Sequence, residues 1–234
     1  MANENDVQKS SAEIAMMIQP NFRHPEIAAS AFPVRCPEVP ALVASALPCA
    51  ASFYRTNQPI YTQCDAVGPL YLVEFGTVRI SRLTADGRRQ ISAFHFAGEV
   101  FGFEPGSEHQ SSAESVDGTG IRVLRPTAGE DFGPEVLSLA LRGLARAQDH
   151  LMLLGRMSAT EKMAAFLLDL MAREETDSLI NLPMQRNDIA DYLGLTFETI
   201  SRVLRALKDA GVIRVSRLDQ VEVLNQARLE ALCN

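Results

Sequence analysis

The stretch GLTFETISRVLRALKDAG, residues 194–211, carries Glu198, Ser201, Arg202 and Arg205 at the i, i+3, i+4, i+7 spacing that places side chains on one face of a helix. These residue types suit the edges of DNA bases. An arginine fork pairs with guanine O6 and N7, a glutamate accepts from the cytosine amino group, and a serine hydroxyl can accept or donate. A glutamate at such a position also repels phosphate, which penalises misdocked registers. The plainer alternative is a Glu198–Arg202 ion pair on an ordinary solvated helix, contributing about a few tenths of a kcal/mol. Spacing alone does not decide between the two.

The elements that would hold this stripe are legible on either side of it. Ile200, Val203, Leu204 and Leu207 form an apolar side opposite the polar one, with Lys208 in the last turn and Gly211 at the end. NDIADYL predicts a shorter helix over about Arg186 to Leu193 that buries Ile189, Ala190 and Leu193. Gly194 stops it in a left-handed conformation, and Thr196 is placed to cap the second helix. IRVS, RLDQ and VEVL then read as strand, turn and strand. Two helices, a tight glycine connection and a hairpin make a winged helix-turn-helix, and that setting favours the DNA reading.

Upstream, a helical period runs through residues 134–157. Leu137, Ala140, Leu144, Ala147, Leu151 and Leu154 recur at intervals of three and four, the seam of a short coiled coil. The seam suits dimerisation, and it equally suits a helix packed on its own domain. Gly155 breaks the pattern, Ser158 and Glu161 make a capping box, and the next helix buries Met163, Phe166, Leu167 and Met171. TDSLINLP reads as a linker. Further upstream, LYLVEFGTVRISRL (70–83), a turn at Asp86-Gly87 and RRQISAFHF predict a hairpin. Glycines then punctuate short runs up to IRVLRP at 121–126, as in an all-β roll or barrel. Residues 1–50, with proline scattered through them, read as a weakly ordered extension.

Composition narrows the function classes. The chain has 234 residues, 22% charged and 47% hydrophobic, with no apolar run near the ~18 needed to span a bilayer. The N-terminus lacks the apolar core of a secretory leader, so a cytoplasmic protein is the expectation. Cys36, Cys49, Cys64 and Cys233 show no paired spacing, and His24, His95, His109 and His150 are scattered, so no metal site is expected. No nucleophile–base pair, metal triad or phosphate loop speaks for an enzyme; Glu99 and Glu104, near Gly98 and Gly102, read as roll-turn residues. The net charge of −7 does not argue against DNA, because six basic and six acidic residues balance across 184–224.

Residues 194–205, GLTFETISRVLR, closely resemble the recognition helix of the CRP/FNR family of bacterial transcription regulators, on its FNR and FixK side, whose signature is E-x-x-S-R. DGRRQISAFHFAGEVFG and EHQSSAES look most like FixK-type proteins, and the resemblance covers about residues 52–232. It implies an α+β fold: an N-terminal extension (1–50), a jelly-roll sensor-like domain (51–133), a dimerisation helix (134–157) and a winged helix-turn-helix (158–234). It also implies a homodimer on a palindrome of TTGAT-like half-sites, acting as an activator of microaerobic or nitrogen-fixation genes and contacting RNA polymerase. Glu198, Ser201 and Arg202 match the base-reading positions, Arg186 matches a phosphate-contacting one, and Thr196, Thr199 and Arg205 are phosphate or accessory positions. Phe197 stands where cyclic-AMP-responsive members carry a further arginine.

The sensor side departs from both familiar models. Cyclic-nucleotide binders carry an Arg-Ser pair where this chain has Gln110 and Ser111, and an anionic phosphate would lack its partner there. The cysteines do not reproduce the spacing that holds the FNR iron–sulfur cluster. No cofactor is therefore expected. The remaining alternative is a regulator whose roll binds an unidentified small effector.

Overall fold

The computed structural model describes residues 38–125, 127, 133–156, 158–217 and 219–233. Two four-stranded antiparallel sheets form the roll, in the orders β1-β8-β3-β6 and β2-β7-β4-β5. The strands are β1 (Ser52–Tyr54), β2 (Pro59–Tyr61), β3 (Leu70–Phe75), β4 (Thr77–Leu83), β5 (Arg89–Phe96), β6 (Val100–Phe101), β7 (Ser112–Ser115) and β8 (Thr119–Leu124). Val73, Val78, Phe101, Ala113 and Ile121 fill the space between the sheets. The expected hairpin is β4–β5, paired from Thr77↔Phe96 to Leu83↔Arg89.

The apolar run 70–83 is not one strand. It divides at Gly76, so that β3 lies in one sheet and β4 in the other. Gly76 has φ +80°, and a Cβ there would sit 2.7 Å from the Gly118 carbonyl oxygen. Only glycine can carry the chain between two sheets at that closeness.

Within the extension of residues 1–50, one short helical piece is described and docks on the roll. Leu42 of helix α1 (Glu38–Ala44), with Ala46 just after it, packs against Leu72, Val100 and Leu124 of the roll and Leu139 of the next helix. Glu38 fastens it, accepting from Ser138 Oγ at 2.7 Å and Arg142 Nη2 at 3.1 Å. Seven residues are too few to show a helical period, so its partners, far along the chain, could not be read from sequence. The part of the expected extension before residue 38 lies outside the described residues.

Helix α2 (Gly133–Arg156) crosses from the roll to the C-terminal region. Helix α3 (Ala159–Glu174) starts with the expected capping box: Glu161 N donates to Ser158 Oγ and Ser158 N donates to Glu161 Oε2. The C-terminal unit adds β9 (Leu179–Asn181), α4 (Arg186–Leu193), α5 (Phe197–Asp209), β10 (Ile213–Arg217), β11 (Gln220–Val223) and α6 (Gln226–Ala231). Part of TDSLINLP is thus not a linker but strand β9, the third strand of the wing, paired with β11 and burying Ile180. Its three residues are too short to carry an alternating pattern. Among the described residues no helix is long and apolar enough to cross a membrane.

Candidate nucleic-acid interface

The reading head is built by three local decisions. Gly194 ends α4 at φ +61°, donating its backbone N–H to Ala190 O. Thr196 caps α5, its hydroxyl accepting from Thr199 N at 3.2 Å. Ile200, Val203, Leu204 and Leu207 are all buried, which fixes the roll of α5 about its axis. Two further devices, not foreseen from sequence, hold the ends of the helices. Lys162 Nζ donates to Leu193 O at 3.2 Å at the end of α4, and Arg228 Nη1 donates to Ala210 O at 2.9 Å at the end of α5. Both cations sit where the helix dipole favours positive charge.

With the apolar side committed, the opposite face of α5 is open. Glu198, Arg202 and Arg205 are exposed and Ser201 is half-buried. Arg202 turns its Nη2 to Thr199 Oγ1 at 3.3 Å rather than to Glu198, so the plain ion pair of a solvated helix is not what holds this face. Arg186, at the start of α4, donates from Nη1 to Ser201 Oγ at 3.4 Å, which brings the two helices' polar residues to one surface. Phe197 is exposed beside them. In the wing, Arg214 is paired with Glu222 at 2.7 Å and Arg217 is exposed.

The apolar seam of α2 is divided by the structure. Leu137, Leu144, Leu151 and Ala147 are exposed, as are Leu141 and Met152, which the heptad reading left out. Ala140 is half-buried and lines a cavity of the roll. Leu154 is half-buried against the C-terminal core, with its Cδ2 close to Gly194. A helix clamped between two bodies spends part of its apolar side inward, and a heptad count from sequence cannot tell the two sides apart.

That cavity, about 360 Å³, lies between the roll and α2 and is lined by Tyr61, Phe101, Glu104, Ser111, Arg146 and Arg173 among others. Ser111 Oγ donates to Glu104 Oε1 at 3.1 Å, and Gln110 Nε2 contacts Glu108 O at 3.4 Å. A carboxylate, not a cation, therefore stands beside the Gln110-Ser111 pair. Arg146 and Arg173 face Glu99 instead, at 2.9 and 3.7 Å, and His95 Nδ1 lies 3.1 Å from it. Glu99 is not a simple turn residue as its sequence context suggested. Burial pushes its carboxyl up, but the His95 hydrogen bond and the charges of Arg173, His95 and Arg146 outweigh it and hold the group down at about 2. Cys49 and Cys64 are exposed, Cys233 is half-buried, and the described residues contain no cluster of three or more metal-ligating side chains.

A β-roll joined by a long helix to a winged helix-turn-helix defines a DNA-binding transcription regulator. The comparisons with known proteins agree part by part. Residues 52–125 match the cyclic nucleotide-binding domain model and residues 161–232 match the Crp-like helix-turn-helix domain model. The chain is 44% identical to the nitrogen fixation regulation protein FixK of Rhizobium meliloti over 181 residues, 77% of this chain and 86% of that one. It is 40% identical to the protein of the same name from Azorhizobium caulinodans, over 82% of each chain. The solved structure of FixK2 from Bradyrhizobium japonicum superposes with a TM-score of 0.76 at 38% identity, covering 80% of this chain and 98% of that one. The chain belongs to the CRP/FNR family of transcription regulators, in its FixK-like branch.

Proposed function

We propose that the protein is a homodimer that reads a palindrome of TTGAT-like half-sites and activates microaerobic or nitrogen-fixation genes, without a cyclic nucleotide or an iron–sulfur cluster. The observation that carries this reading is the open face of α5, where Glu198, Arg202 and Arg205 stand exposed beside Ser201. Arg202 and Glu198 share a G·C pair, Ser201 meets a neighbouring base, and Arg186, Thr196, Thr199 and Arg205 hold phosphate and register. The exposed leucines of α2 (Leu137, Leu144 and Leu151, with Leu141) join two copies, which sets the heads about one DNA turn apart. RNA polymerase is the partner that an activator of this kind recruits. The nitrogen-fixation assignment follows the relatives from Rhizobium meliloti and Azorhizobium caulinodans.

Selection of bound DNA from a random pool, with and without air, tests the whole reading. The expected outcome is one palindrome under both conditions; enrichment without symmetry would refute it. Leu144→Glu with Leu151→Glu should yield a monomer by light scattering and lose affinity for the selected site, whereas an unchanged dimer would remove α2 as the joint. A second reading is supported by the 360 Å³ cavity and its aromatic lining: an effector bound there would gate DNA binding. Thermal shift against nucleotides, haem and 2-oxoglutarate separates the two, a large shift favouring the effector.

A further inference from the structure

The roll and the reading head share more than a linker. Strand β5 places Ile91, Phe94 and Phe96 in the same apolar core as α3, α4 and α5, so separating the two bodies would expose it to water. A network of charges runs along this contact. Arg79 of β4, itself buried, donates from Nη1 to Asp188 Oδ2 at 3.0 Å. Its other nitrogens are held by Glu114 Oε2 and Asn57 Oδ1, each at 3.0 Å. Arg89 of β5 donates from Nη2 to Asp188 Oδ1 at 2.5 Å and from Nε to Asp191 Oδ2 at 2.8 Å. Gln90 Nε2 adds a contact to Asp191 O at 2.5 Å.

Both oxygens of a buried carboxylate on α4 are thus occupied by two arginines that belong to the roll. Opening the contact would break both arginine pairs to Asp188 and expose the shared apolar core to water, so the closed arrangement is favoured. The contact reaches the start of α5, since Arg89, Gln90 and Asp191 line one cavity with Thr196 and Thr199, yet Glu198, Arg202 and Arg205 remain exposed while it is closed. It therefore restrains the head while leaving the base-reading side chains open.

We propose that Arg79, Arg89, Asp188 and Asp191 are positioning residues for DNA reading: they lock α4, and with it α5, at one angle to the roll, so that the pose of the head is set by the fold and not by a bound effector. This rests on the dimeric, DNA-reading function proposed above. In a dimer each head carries its own angular error, so the latch fixes the distance between the two recognition helices. Its signature is discrimination between spacings of the two half-sites, which a residue of merely structural value would not alter.

The test uses the full-length protein, wild type, Arg89→Ala and Arg89→Lys. Arg89 is partly exposed, so its loss is tolerable to the fold, and melting temperatures check that it is. Two quantities are read: amide hydrogen exchange of β5 and α4 in the free protein, and affinity for the selected palindrome with its native spacing or with one base pair inserted at the centre. Arg89→Ala should exchange faster in both elements, lose about tenfold in affinity for the native spacing by leaving the competent pose less populated, and show a smaller penalty for the insertion. Arg89→Lys, a point charge without the fork, should recover part of each effect. Tighter binding by Arg89→Ala would overturn the proposal by showing a restraint that opposes DNA, and an unchanged insertion penalty would overturn it as well. Because exchange is read without DNA, unchanged exchange refutes the latch by itself. A wild type that selects no palindrome refutes the DNA reading instead.

Discussion

The roll and the reading head treat charge in opposite ways. In the roll, Glu99 is buried, and His95, Arg146 and Arg173 converge on it. On α5, Glu198, Arg202 and Arg205 point outward, and Arg202 reaches only a threonine hydroxyl within its own helix. Arg146 of α2 and Arg173 of α3 meet His95 of the roll around one carboxylate, which rigidifies the joint between the roll and the two helices. The head has kept its groups free, and free polar groups on a rigid helix are what a base edge needs.

Two substitutions test that contrast by splitting stability from binding. Glu99→Ala removes the carboxylate from among its cations, and a buried pair broken on one side typically costs about 3–5 kcal/mol. Urea unfolding should show a loss of that order; a change below about 1 kcal/mol would mean that the Glu99 cluster is not an internal keystone of the roll. Arg202→Ala should do the reverse. Its unfolding free energy should stay within about 0.5 kcal/mol of wild type, as for an exposed side chain. Its affinity for the selected palindrome should fall by about 1–3 kcal/mol per subunit, with preference relaxed at the guanine. Equal weakening on every sequence would make Arg202 a phosphate contact and blur the comparison.

The head was the more legible of the two in sequence, for a physical reason. Its signals are local: Gly194 as a stop, Thr196 as a cap, Ile200 to Leu207 as an apolar side, each within a few residues of what it controls. The bounds of α4 and the pairing of β4 with β5 follow from such short-range signals. What could not be read depends on contacts between distant residues. Gly76 switches sheets because of Gly118, α1 exists because Leu42 finds Leu139, and β9 is a strand because β11 lies beside it. The same applies to Arg79 and Arg89, whose partners lie about a hundred residues further along. An ion pair across that separation leaves no periodic trace. The heptads of α2 fall between these cases, since the period predicted the helix while the side facing inward depended on what Leu154 and Ala140 happened to meet.

The smallest expected effect comes from a second glutamate, which sets the rule behind the comparison in relief. Glu174, at the end of α3, is half-buried like Glu99's neighbours, but it accepts only neutral hydrogen bonds from Asn181, from N at 3.1 Å and Nδ2 at 3.2 Å. Burial pushes its carboxyl up to about 7 against those hydrogen bonds, whereas the cations around Glu99 hold that group at about 2. The signs of the two pH dependences follow. Between the ordinary glutamate range near 4.5 and about 7, Glu174 holds its proton in the folded chain but not in the unfolded one, so stability falls as pH rises through that window. Glu99 acts below it: its stabilisation is complete above about 4.5 and is lost as pH falls toward 2. Glu174→Gln removes only the first of these. At pH 8 the variant should be more stable than wild type by about 1 kcal/mol or less, the gain being limited by solvent around a half-exposed group. At pH 5 the two should unfold together, and a denaturation series from pH 5 to 8 measures the difference. A constant difference across that range would show that Glu174 is charged throughout, and that a neutral amide partner suffices where Glu99 has two arginines and a histidine.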